Sequence, residues 1–222
     1  MQKIPKDYPV EYINWKIAFF GRDFVVTPDV LIPRLETESL VRRARQILTK
    51  KWNQSNIVID IGCGSGIIGT SVADLADEVI FLDISPEALA VTEKNFRSHF
   101  PEHKAQFIIS DLISNIPILQ DSNPLFLTNL PYIKADDWIH MSADTVHEPR
   151  LALFGGEQTG FEMYERLFWE ISELQLIHFQ LLCEFGFDQR IIAESVLKQY
   201  PQWESSFFAD YAGIERFGEI TI

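Results

Sequence analysis

From Asn56 onward, short apolar runs of strand length alternate with segments of helical spacing, and this alternation restricts the fold more than any other feature of the 222-residue chain. "NIVIDIG" at 56–62 is an apolar run ending in glycines, "GIIGTSVADLA" at 66–76 repeats at helical period, and "EVIFLDI" at 78–84 is a second apolar run. Ser85-Pro86-Glu87 then opens a helix with a capping hydroxyl, a proline in the first turn and an acid behind it. "AQFIISDL" (105–112), "PLFLTNL" (124–130) and "HFQLLCEF" (178–185) supply three more strands, with helical spacing in "GFEMYERLFWEISEL" (160–174) and "DQRIIAESVLKQY" (188–200). Runs that are apolar throughout are buried on both faces, so the expectation is an α/β fold with a mostly parallel sheet covered by helices on each side. The tail, "ESSFFAD" and "IERFGEITI", adds two closing strands as an antiparallel edge, seven strands in all.

Upstream, "IAFFGRDFVV" reads as two strands around Gly21-Arg22-Asp23, a hairpin. Thr37 with Glu36 and Glu38 opens an amphipathic helix reaching about Trp52, with Leu40, Val41, Ala44, Ile47 and Leu48 on one face and Lys50 and Lys51 near its end. The expected division is a hairpin-and-helix appendage over 1–54 and one domain over 55–222. At 46% hydrophobic residues the chain can bury roughly 70–75% of its unfolded surface around one core. A net charge of −13 repels polyphosphate, which disfavours broad nucleic-acid binding. The opening "MQKIPKDYPV" lacks the apolar stretch of a signal peptide, no run approaches the roughly 18 apolar residues of a membrane span, and the two cysteines offer no disulfide framework. A reducing cytoplasm is the expected location. His99 and His103 are separated by Pro101, which breaks a helical metal pair, and His147 and His178 carry no signal, so no metal is expected.

Open parallel sheets bind ligands beyond the carboxyl ends of their strands, where Asp60-Ile61-Gly62-Cys63-Gly64-Ser65-Gly66 lies. Gly64, Gly66 and Gly69 also satisfy G-x-G-x-x-G with Asp83 about 20 residues on, as a nicotinamide-binding fold requires. Asp60 ahead of the glycines favours S-adenosylmethionine, because a carboxylate suits an ammonium and a sulfonium and repels a pyrophosphate. Asp83 is placed to accept from two ribose hydroxyls, and Asp111 to receive the adenine amino group while Leu112 packs on the ring. Cys63 reads as filler in the turn, no histidine being linked to it as a base.

"FLTNLPYI" at 126–133 runs an apolar strand into an amide, a proline and an aromatic ring. The Asn129 side-chain oxygen and the Leu130 carbonyl can both accept from one NH2 group, Pro131 stiffens the turn, and Tyr132 can stack on a flat guest. A glutamine side chain and a purine both present such a group.

"VLIPRLETE", "DIGCGSG", "FLDISPEAL", "SDL", "NLPYI", "EPRLALFGGE" and "EFGFDQ" occur in the order seen in the HemK/PrmC family of protein-(glutamine-N5) methyltransferases, which modify peptide-chain release factors. The chain resembles that family from about Glu11 to its end, and the resemblance implies a Rossmann-like class I S-adenosylmethionine-dependent methyltransferase. It implies that Gly62 through Gly66, Asp83, Leu112 and Asn129 contact the cofactor, and that Asn129, Leu130, Pro131 and Tyr132 hold the glutamine amide. Two departures stand out. The family signature is N-P-P-Y, and Leu130 replaces its first proline; family members also carry a helical domain ahead of the hairpin, whereas little precedes Tyr12. The expectation is a catalytic domain that either has had its helical domain removed or recognises its release factor differently, a partner subunit being one route. Adenine-N6 methyltransferases of RNA or DNA use a similar N-L-P-Y and are the rival reading, disfavoured by the acidic charge. An inactive cofactor-binding module and a nicotinamide-dependent oxidoreductase are more distant alternatives.

Overall fold

The structure is a computed structural model that describes residues 5–50, 56–117, 123–142 and 145–222. The chain opens with a short helix α1 (Val10–Asn14) and a hairpin of β1 (Ile17–Phe19) and β2 (Arg22–Phe24), as the Gly21 turn predicts. Helix α2 (Glu38–Leu48) follows a 3-10 turn at Leu35–Thr37. Expected to reach about Trp52, the helix instead ends at Leu48, where Thr49 and Lys50 form a turn with the Lys50 amide donating to the Ile47 carbonyl; Lys51, Trp52 and the expected division at 54/55 lie outside the described residues. Thr37 does not cap α2; its backbone is helical and its hydroxyl is committed elsewhere.

The alternating part folds as β3 (Ile57–Ile61), α3 (Ile67–Val72), β4 (Glu78–Asp83), α4 (Pro86–His99), β5 (Ala105–Ile109) and β6 (Leu125–Thr128). Ser85 caps α4, its hydroxyl accepting from the Ala88 amide at 3.1 Å. A short parallel pair not anticipated from the sequence, β7 (Ile133–Lys134) and β8 (Phe154–Gly156), precedes α5 (Glu162–Glu173). Then come β9 (Gln180–Glu184), α6 (Arg190–Leu197), β10 (Glu204–Ala209) and β11 (Glu215–Thr221).

Seven strands form one sheet in the order β10-β11-β9-β6-β3-β4-β5, in which β11 runs antiparallel to both neighbours and all other pairs are parallel. From β3 the chain winds outward through β4 to β5, then returns to place β6 on the other side of β3. Strand order reverses there, so a crevice opens between the ends of β3 and β6. One face of the sheet packs Ile59, Ile61 and Phe126 against Tyr164, Leu167 and Phe168 of α5, and the other packs Val58, Phe81 and Leu127 against α2, α3 and α4. Leu40, Val41, Ala44, Ile47 and Leu48 belong to this second core, so the face predicted for α2 is the face it buries. A smaller cluster joins Tyr12, Val26, Val30 and Ile32 to Ala88 and Val91 of α4, and the Tyr12 hydroxyl donates to the Val30 carbonyl at 2.7 Å. Asn95 of α4 donates to the carbonyls of Val25 and Ser65 and accepts from the Val25 amide, tying the segment after the hairpin to the glycine loop. Residues 28–34 thereby become one wall of the crevice. Among the described residues, no helix is long and apolar enough to cross a membrane.

Candidate active site

Strand β3 delivers its glycines into the crevice in a conformation other residues avoid: Gly62, Gly64 and Gly66 have φ of 64°, 55° and 74°. A Cβ built on Gly64 meets nothing within 4 Å, leaving its backbone open to a ligand, whereas one on Gly66 would strike Thr92 at 2.6 Å. Asp60 lies behind this loop. It is fully buried, Oδ2 accepts from the Gly69 amide at 2.8 Å, Oδ1 has no partner, and Asp60 is not among the residues lining the cavity. Burial pushes its carboxyl up to about 7, against the Gly69 amide that favours the anion. The Cys63 sulfur sits 3.3 Å from the Thr92 hydroxyl, and burial pushes its thiol well up, which suits packing and not nucleophilic attack.

At the end of β4, Asp83 accepts from the Gly64 amide through Oδ2 and from the Ser85 amide through Oδ1, each at 2.9 Å. Its carboxylate is held rigidly at the cavity, and burial raises its pKa. Asp111 also lines the cavity, with Oδ2 paired to Arg166 at 2.9 Å, and the next residue, Leu112, is buried at φ 50°, a strained position for a leucine that turns the chain under the cavity floor.

Asn129 follows β6, whose last residue, Thr128, donates its hydroxyl to the Ile61 carbonyl at 2.9 Å, so the tips of β3 and β6 move as one. The Asn129 Nδ2 donates to the Thr37 hydroxyl oxygen at 3.3 Å, and its Oδ1 is buried without a partner. The Leu130 amide donates to the Tyr164 hydroxyl at 2.9 Å, and the Tyr132 carbonyl accepts from Gln189 Nε2 at 2.9 Å. Gly155 and Gly160 pack so tightly on the turn that a Cβ on either would lie 2.4 Å or less from the carbonyl oxygen of Pro131 or Tyr132. The segments "LIPRLETE", "EPRLALFGGE" and "EFGFDQ" thus each furnish a brace for "NLPY". The sequence points to none of Thr37, Tyr164 and Gln189 as a site residue: Thr37 reads as a helix start, Tyr164 as part of a helix, and the one further signal is that Thr37 and Gln189 fall inside "LIPRLETE" and "EFGFDQ".

A cavity of about 310 Å³ unites Gly62, Cys63, Gly64, Ser65, Asp83, Asp111, Leu112, Asn129, Leu130 and Pro131; Gly66 and Asp60 stand behind it. A second cavity of about 260 Å³ shares Leu31, Arg34, Asn129, Leu130, Pro131 and Ala152 and adds Tyr132 and Met141. Asn129 to Pro131 therefore form the partition between two adjoining compartments. The first fits S-adenosylmethionine on the chemistry of its walls. Asp83, Glu87 and Asp111 offer acceptors for hydroxyls and cations, and Arg34, the one basic side chain among the described residues lining it, is already paired with Glu148. A pyrophosphate would face carboxylates with no free cation, which argues against a dinucleotide. Asp83→Ala is expected to raise the dissociation constant for S-adenosylmethionine at least about tenfold, the scale of one lost charge-assisted hydrogen bond, as titration calorimetry would show.

A family model described as "Methyltransferase small domain" matches residues 38–147. Two curated relatives align over almost all of the chain. The release factor glutamine methyltransferase of Enterococcus faecalis is 31% identical over 95% of this chain and 74% of its own, and that of Nitratidesulfovibrio vulgaris is 35% identical over 94% and 71%. Among solved structures, the Mtq2–Trm112 complex of E. cuniculi, described as responsible for methylation of the eRF1 translation termination factor, superposes with a TM-score of 0.55 at 17% identity, covering 87% of this chain and 97% of that one. That likeness concerns the fold.

Proposed function

The chain belongs to the family of release factor glutamine methyltransferases, and from that premise we propose that Asn129 and Leu130 form its amide clamp at the partition between the two cavities. The enzyme transfers a methyl group from S-adenosylmethionine to the side-chain nitrogen of a protein glutamine. The donor, when bound, supplies an electrophilic methyl carbon on a sulfonium; everything else falls to the protein.

The loop from Gly62 to Gly66, with Asp83, Asp111 and Leu112, would hold the donor in the first cavity, and the acceptor side chain would enter through the second, past Tyr132. An amide nitrogen shares its lone pair with its carbonyl and is a poor nucleophile. Asn129 Oδ1 and the Leu130 carbonyl, each taking one N–H, draw electron density back to nitrogen and fix the direction its lone pair faces. Burial pushes the Tyr132 hydroxyl up to about 12, so it stays protonated and contributes an aromatic face in place of a base. No strong base is required, because the methylated amide nitrogen is acidic and gives its proton to water.

The observation that carries this reading is the side-chain oxygen of Asn129, buried and unpartnered on a residue that lines both compartments. Buried polar atoms are nearly always satisfied, so an orphan at a cavity wall marks a place for a donor. The substrate is a peptide-chain release factor, which places the enzyme in the cytoplasm. Pro28 to Leu31, with Pro33 and Arg34, line the donor's wall ahead of α2, and a partner subunit, of the kind Mtq2 has in Trm112, is a further means of engaging that substrate. Incubation with S-adenosylmethionine and a release factor is expected to add one methyl group to a single glutamine of that factor, read by peptide mass spectrometry. Methylation of RNA adenine in its place would overturn the assignment.

A further inference from the structure

Glu184, the last residue of β9, is 1% exposed and lines neither cavity, yet it connects to each half of the clamp through one intervening hydroxyl. Its carboxylate Oε2 accepts from the Thr37 hydroxyl at 2.7 Å, and that hydroxyl oxygen accepts from Asn129 Nδ2 at 3.3 Å. Its main-chain carbonyl accepts from the Tyr164 hydroxyl, which in turn accepts from the Leu130 amide at 2.9 Å. We propose that Glu184 is the positioning residue of the methyl transfer, aiming the Asn129 oxygen through Thr37 and the Leu130 carbonyl through Tyr164. This rests on the clamp reading given above.

The direction of the first chain follows from donor and acceptor inventories. An ionised carboxylate only accepts, so Thr37 must donate to it; the Thr37 oxygen can then only accept from Asn129, which commits Nδ2 backwards and turns Oδ1 to the site. A protonated Glu184 reverses this. It can donate to Thr37, freeing the Thr37 hydrogen for Asn129 Oδ1, and the amide then turns its NH2 toward the guest, a donor facing donors. The second chain accounts for Leu130. Proline has no N–H, so the bond to Tyr164 exists only because leucine stands there, and it restores by hydrogen bonding the stiffness that a second proline would give.

The groups around Glu184 determine when it ionises. Arg216 on β11 favours the anion but is shared with Asp210 at 2.8 Å; Glu36 and Asp210 oppose it, and Thr37 supports it. Burial is the largest effect and pushes the carboxyl up to about 7. The neighbouring Tyr132, Tyr164 and Cys183 are all pushed up by burial and stay protonated. A glutamine amide does not titrate near neutrality, and Asp60, the other carboxyl pushed up to about 7, lies beneath the donor loop and away from this chain of bonds, so the expected signature of Glu184 is a rise of kcat with pH through about 7 that Glu184→Gln removes.

The test compares the full chain with Thr37→Ser, Thr37→Val and Glu184→Gln, using a release factor as substrate, and measures the affinity of each for S-adenosylmethionine. Thr37→Ser should stay within about twofold of the parent and Thr37→Val should lose about tenfold or more in kcat, while Glu184→Gln should be slower with a flat pH profile. Equal losses in the two Thr37 variants, an undiminished Thr37→Val, or a parental pH profile in Glu184→Gln would overturn the proposal. If Glu184→Gln fails to fold, the Thr37 pair decides alone. A substrate-free readout separates this proposal from the clamp: the Asn129 side-chain amide protons, followed by NMR, should shift in Thr37→Val and titrate with Glu184 in the parent. Such shifts without glutamine methylation would leave the hydrogen-bonded chain standing and remove the clamp; their absence in an active enzyme would do the reverse.

Discussion

Asn129→Ala is expected to lower kcat for glutamine methylation by about two to three orders of magnitude, the loss found when one preorganised hydrogen-bonding group at a reacting centre is removed. The Asn129 oxygen is buried, unpartnered and held by a side chain whose other end is already bonded to Thr37, so it needs no reorganisation when an N–H arrives. Alanine removes that acceptor and leaves the Thr37 hydroxyl able to donate to Glu184 as before, so the fold should persist. Affinity for S-adenosylmethionine should change by less than about tenfold, since Asp83 and the glycine loop remain. Single-turnover methyl transfer combined with calorimetry would separate the two quantities. A kcat within about threefold of the parent would show that the amide is not gripped at this position.

The sheet and its ligand-binding end were legible because they are written in local patterns. Apolar runs bounded by glycines, Ser85 before Pro86, and the Gly21 turn each give one answer at short range, and each stands where expected. The four residues proposed to form the clamp stand out in the sequence for the same reason, being contiguous. What holds them does not. Thr37 reads as a helix start next to two acids, yet its hydroxyl reaches Glu184, 147 residues away, and Asn129, 92 residues away. Tyr164 reads as part of the apolar face of α5, which it is, and its hydroxyl meets Leu130 only because β6 and β9 are neighbours in the sheet. Gly155 of "EPRLALFGGE" and Gly160 just beyond it are a subtler case, since their use is the close approach of two backbones that the sequence does not announce as neighbours. Asp60 shows the converse. A carboxylate ahead of glycines reads as facing the ligand, but its place on β3 turns it toward α3, where it secures the Gly69 amide beneath the loop.

Gly64→Leu is expected to abolish detectable binding of S-adenosylmethionine, a loss of more than about a hundredfold, in a protein that still folds. The Cβ would stand where nothing lies within 4 Å, so the branch starts without a clash and the side chain projects from a loop residue that lines the donor cavity. The φ of 55° costs a leucine about 1–2 kcal/mol, which in a chain of this size lowers the melting temperature by several degrees and no more. Gly69→Ala makes the opposite prediction from the same kind of residue. Its Cβ would stand 2.6 Å from Phe81 and 3.0 Å from the Asp60 carboxylate, inside the packed contact of α3 with the sheet, so it should cost about 1–3 kcal/mol of stability while leaving the cavity wall unaltered. Calorimetric binding and thermal melting measured on both variants therefore give crossed outcomes: lost affinity with retained stability at 64, lost stability with retained affinity at 69. Were Gly64→Leu to bind the donor as the parent does, the open face of the loop would not be where the donor lies, and the crevice between β3 and β6 would have to serve a different guest.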